Sequence, residues 1–111
     1  FIEAFTHRSS VNESSENTHN ERLEFLGDAV LELVTTEFLF TEFADKPEGE
    51  LTNMRSALVK KENLAVVARK LNLGKLLIMS RGEERSGGRE KDYLLANLVE
   101  AFIGALYQAG K

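Results

Sequence analysis

The chain has 111 residues, 42% of them hydrophobic, a single proline, no cysteine and a formal net charge of −4. That length suits one compact domain, 1–111, burying roughly two thirds of its surface on folding, and the lack of cysteine excludes disulfides and thiolate metal sites. No apolar run reaches the ~18 residues of a membrane span and no signal peptide is visible, so no membrane role is expected and a cytoplasmic setting fits.

Hydrophobic spacing is helical throughout, with no convincing strand, which predicts an all-α fold. Asn12 to His19 is polar and reads as a loop. Asn20 or Thr18 then caps a helix running to about Phe43, where Asp45, Lys46 and Pro47 end it. On this helix Glu21, Glu24 and Asp28 fall within an arc of roughly 60°, while Leu23, Leu26, Val30, Leu33 and Val34 form a separate stripe suited to a core. Two shorter helices follow, Glu50 to about Lys60 and Glu62 to Leu71, the second closed by Asn72 and Gly74. Ser80 to Arg89 reads as a mobile, Gly-rich loop. A last helix, about Lys91 to Ala109, is apolar nearly all round and belongs in the middle of a bundle.

An acidic helix face is ordinarily just solvated. Three neighbours argue for more. Gly27 costs ~1 kcal/mol inside a helix unless something approaches its backbone closely. Phe25 projects beside the carboxylates instead of into the core stripe, as an interface anchor would. Glu100 is a carboxylate on an otherwise apolar helix and needs a cation or donors to offset its desolvation. Gly104 lies one turn beyond Glu100, so the first and last long helices are expected to cross at Gly27 and Gly104, bringing Glu100 beside Glu24 and Asp28. Converging oxygen ligands favour a hard ion, Mg2+ or Mn2+. Charge along the chain agrees: residues 1–54 carry twelve acids against three bases, residues 55–91 ten bases against four acids. Such a split suits an acidic metal site beside a basic track that follows phosphates.

The run NERLEFLGDAV, Asn20 to Val30, resembles the signature of the ribonuclease III family, metal-dependent endonucleases that cut double-stranded RNA. FTHRSS from Phe5, GELTNMRSALVKKENLAVVARKLNLG from Gly49, RGEERSGGRE from Arg81 and LLANLVEAFIGALY from Leu94 resemble the family's other blocks in order and spacing. The resemblance implies a homodimeric helical endonuclease domain in which Glu24, Asp28, the position of Asn97 and Glu100 hold the metal. It implies that Glu21 acts from nearby on the attacking water or the RNA, that Glu48 contributes near the dimer-related site, and that the products carry 5′ phosphates and short 3′ overhangs. Precursor ribosomal RNA and structured messenger RNA are the substrates expected of a bacterial-type member. Chains of this family usually extend further at both ends and add a double-stranded RNA-binding domain, so this chain is expected to be one domain of a longer protein.

Asn97 departs from the family pattern, which has Asp there. An amide oxygen still coordinates a hard cation but brings no negative charge. A non-cleaving RNA-binding or scaffold protein with the same fold is therefore the alternative, and a generic helical interaction domain leaves Glu100 unexplained. Among weaker features, Arg85 and Arg89, with the backbone of Ser86 to Gly88, are candidate phosphate contacts. His7 and His19 are read as hydrogen-bonding structural residues before they are read as ligands or bases.

Overall fold

The computed structural model describes residues 3–7 and 20–111. The predicted loop, His19 and the Thr18 cap lie outside the described residues. Among the described residues five α-helices follow one another: α1 (Glu21–Glu42), α2 (Glu48–Val59), α3 (Lys61–Lys70), α4 (Arg81–Arg85) and α5 (Asp92–Ala109). Short 3-10 turns cover Glu3–Phe5, Leu73–Leu76 and Gly88–Glu90. The four predicted helices appear within two residues of their expected ends. Asn72 terminates α3 in the left-handed conformation (φ 56°), a role its short polar side chain suits.

The α5 helix is the axis of the molecule. Leu95, Ala96, Leu98 and Val99 pack against Leu64, Ala65 and Ala68 of α3 and against Leu73 and Leu77. On the other side Ala101 and Ala105 meet Ala4, Phe5 and Leu23. Its ends depart from the all-round burial expected: Tyr93 in the first turn and Leu106 and Tyr107 in the last are exposed.

Asn20 precedes α1 as predicted, but its side chain does not cap the helix. Its amide instead donates to the Ala4 carbonyl at 3.2 Å while its backbone N–H bonds the Thr6 carbonyl at 2.8 Å, tying the amino-terminal segment to the start of α1. That segment is also held by a single parallel β-bridge, Thr6 to Ile78, which a search for strands by alternation could not register.

Two further expectations are corrected. Leu33 and Val34, placed on the core stripe, are 61% and 58% exposed. The helix of 22 residues outruns its cover: among the described residues α5 crosses its first half and α2 packs on the second, which leaves one side exposed. Residues 80–89 do not form an irregular loop either. Ser80 Oγ accepts from the Glu83 N–H at 3.1 Å and starts α4, Gly87 turns the chain at φ 84°, and Lys91 Nζ lies 2.7 Å from Glu83 Oε2.

Candidate active site

The crossing of α1 and α5 builds the site. A Cβ on Gly27 would overlap the Glu100 carbonyl, and one on Gly104 would overlap the Leu23 carbonyl. Both helices therefore touch backbone to backbone, as the glycine spacing predicted. Asp28 follows Gly27 and Glu100 precedes Gly104 by one turn, so close approach at the glycines forces these two carboxyls together.

Glu100 is buried, at 9% exposure, whereas Asp28 is exposed and Glu24 half-buried. Loss of solvent, the hydrogen bond to Asp28 and the charges of Asp28 and Glu24 push the Glu100 carboxyl up to about 8, against an opposing pull from Lys61. Without a cation, Glu100 thus keeps its proton near neutrality, hydrogen-bonded to Asp28. Lys61 at the start of α3 donates from Nζ to Asn97 Oδ1 at 2.7 Å. A cavity of about 110 Å3 adjoins the crossing, lined by His7, Asn20, Glu21, Glu24, Tyr93, Leu94 and Asn97.

The structure thus brings Asp28 to Glu100, and Glu21 and Glu24 to Asn97. Among the described residues, no three His, Asp or Glu side chains converge as a ready-made ion cage. The donor chemistry nevertheless fits a hard divalent ion. Two carboxyls brought together at a close helix crossing, one of them buried, make a place that favours positive charge, and Asn97 adds a neutral oxygen.

Other expected site residues lie elsewhere. Glu48 lines a groove between α1 and α2 with Thr36, Leu39, Phe40, Leu51 and Arg55, separate from the crossing. Phe25 is 83% exposed, beside a surface hollow that it lines with Arg22, Leu23, Leu26 and Gln108. Arg89 is engaged inside the protein: its guanidinium donates to the Gly74 carbonyl at 2.9 Å, the Leu77 carbonyl at 2.6 Å and Glu84 Oε1 at 2.8 Å. Arg85 is exposed. Lys61 and Tyr93 also border the site, and sequence spacing points to neither. Nothing local marks Lys61, since its partner is 36 residues away.

Residues 1–111 match the Ribonuclease-III-like family. Ribonuclease 3 of Desulforamulus reducens is 56% identical over 96% of this chain and 44% of its own length, and that of Anoxybacillus flavithermus 54% identical over 96% and 45%. This chain thus spans less than half the length of these curated relatives. The nuclease domain of ribonuclease III from Campylobacter jejuni superposes with a TM-score of 0.89 at 48% identity, covering 96% of this chain and 72% of that one. Dicer from Pichia stipitis superposes with a TM-score of 0.71 at 32% identity, over 98% of this chain and 45% of that one. The fold, the carboxyl pair at its glycine crossing and these likenesses place the chain in the ribonuclease-III-like family.

Proposed function

We propose that this chain is the nuclease domain of an endoribonuclease that hydrolyses double-stranded RNA with Mg2+, or Mn2+ in its place. The observation that carries this reading is the Asp28–Glu100 carboxyl pair set by the Gly27–Gly104 crossing. Asp28, Glu100, Glu24 and the Asn97 amide oxygen would hold the metal. The ion, when bound, supplies charge neutralisation on the attacked phosphate and a lowered pKa for water.

The chain's own residues do the rest. Burial of Glu100 on α5 limits water on one side of the pair, so its interaction with Asp28 is stronger than at an open surface. Glu21 and Glu24 border the cavity that Asn97 and His7 close, where carboxylates can orient the attacking water or a ribose hydroxyl. Exposed bases between residues 55 and 91, Arg85 among them, supply phosphate contacts that recognise a duplex by shape.

The active form in this reading is a homodimer, each subunit cutting one strand to leave 5′ phosphates, 3′ hydroxyls and short 3′ overhangs. The Campylobacter jejuni neighbour is described as having a region involved in dimer formation, and the exposed Phe25 on α1 supports the same for this chain. The protein acts in the cytoplasm on precursor ribosomal RNA or structured messenger RNA. No helix among the described residues is long and apolar enough to cross a membrane.

End-labelled duplex RNA should be cut in Mg2+ and left intact in chelator, and Glu100→Gln should abolish the cut. Duplex bound but uncut by the parent, with cleavage appearing in Asn97→Asp, would identify this form as a silent binder.

A further inference from the structure

Lys61 opens α3 within the run Lys60-Lys61-Glu62, where a lysine ordinarily extends into water and adds little to the fold. Here its Nζ reaches across to Asn97 Oδ1 at 2.7 Å. Its charge also acts on the Glu100 carboxyl, in the sense opposite to Asp28 and Glu24. A single ammonium therefore touches the one neutral donor of the site and faces its buried carboxyl.

Asn97 Oδ1 is also the oxygen that position 97 can offer a metal ion. Its two lone pairs would allow two partners in principle. An ammonium and a divalent cation on the same oxygen would, however, repel each other at that range. One must leave as the other arrives. The long, flexible lysine stem makes departure easy.

We propose that Lys61 is the resident cation of the carboxyl site, holding Asn97 beside the carboxyls until a divalent cation displaces it. This rests on the metal-site reading above and adds to it a competitor built into the chain. It also gives Asn97 a defined partner in the metal-free protein. Metal affinity is then set by the carboxyls and, in the opposite direction, by a residue on a different helix.

The test is calorimetric titration of MnCl2 at neutral pH into the parent, Lys61→Met and Lys61→Arg. Methionine keeps most of the stem without the charge; arginine keeps the charge. Lys61 is exposed, so both variants should fold. Removing one repelling charge should lower the Kd for Mn2+ about fivefold in Lys61→Met, with Lys61→Arg close to the parent. In chelator, Lys61→Met should lower the urea midpoint of the parent but not of Asn97→Ala, where the partner of the ammonium is already gone. Equal or weaker Mn2+ binding by Lys61→Met overturns the proposal while leaving the metal site intact. So does an unchanged Mn2+ Kd accompanied by weaker metal-free duplex binding, which would make Lys61 a phosphate contact. Absence of Mn2+ binding by the parent overturns the metal reading and the displacement with it, a result distinct from the other two.

Discussion

The Glu100 carboxyl sits where α5 has shed most of its water, one hydrogen bond from Asp28, and is raised from its ordinary 4.5 to about 8. The sign of the consequence follows from proton counts. Between these values the folded chain holds a proton that the unfolded chain has lost, so this group's contribution is fully present below about 4.5 and is lost as pH rises through about 8. In chelator, the melting temperature of the parent should fall from pH 5 to pH 9, and that of Glu100→Gln should fall distinctly less. Equal slopes would mean that the carboxyl is not buried as described. If Asn97 is a metal ligand as proposed, its neutral amide would limit cation affinity, and a lost partner of a metal site ordinarily costs ~10 to 100-fold in affinity or activity. Asn97→Asp should therefore bind Mn2+ more tightly and cleave duplex RNA at least tenfold faster (~10, the lower end of that range). Lys61 stays available to pair with the new carboxylate in the metal-free state. Unchanged cleavage would show that the amide serves as well.

Helix by helix, the glycines sort by what surrounds them. At Gly27 a methyl group would strike the Glu100 carbonyl, a backbone atom that cannot step aside without separating α1 from α5. Gly27→Ala should cost about 3 kcal/mol in urea unfolding, at the upper end of ordinary overpacking, and should also weaken metal binding by pulling Asp28 from Glu100. Gly49, in the first turn of α2, has nothing within 4 Å of the same position. Gly49→Ala should stabilise by roughly 0.5–1 kcal/mol through helix propensity and lower unfolded-state entropy. Opposite signs for the two substitutions would be hard to obtain unless the crossing is as described. The turn after α4 offers a similar contrast. Arg89 gathers the carbonyls of Gly74 and Leu77 and the Glu84 carboxylate, so Arg89→Ala should cost about 1.5–3 kcal/mol, whereas Arg85→Ala should change stability by less than about 0.5 kcal/mol. Weakened RNA binding in Arg85→Ala without loss of melting temperature would single out Arg85 as the phosphate contact of the pair.

The whole molecule is elongated, 51 × 31 × 20 Å, with a radius of gyration of 15.4 Å where a compact chain of this size approaches ~13 Å. The extra length comes from the second half of α1 and its partner α2, which project past the α3–α5 core. Leu33, Val34, Phe38 and Phe40 are all more than half exposed there, and Phe25 is exposed at the other end of the same helix. So much apolar surface on one helix is what an association face presents. Truncating a well-buried aromatic anchor costs ~2 kcal/mol, about thirtyfold in dissociation. Sedimentation of Phe25→Ala should accordingly show more monomer than the parent at equal concentration. Unchanged association would place the contact on the Leu33 to Phe40 face instead.

Amphipathic period, glycine placement and motif spacing are local properties, and they carried the helix bounds, the family, the acidic stripe of α1, the anomaly of Glu100 and the crossing at Gly27 and Gly104. The crossing was legible because a glycine inside a helix is costly unless a neighbour needs the space, and two such glycines flank the acids in question. Tertiary structure alone decided the matters that depend on reach and cover. Leu33 and Val34 share the period of the core stripe, yet no helix extends far enough to bury them. Arg89 lies in a segment with the composition of a loop, but the carbonyls of Gly74 and Leu77 lie within its reach and order it. Lys61 meets Asn97 because α3 and α5 pack side by side over the shared Leu64, Ala65, Ala68 and Leu95 core, and no spacing within either helix encodes that distance.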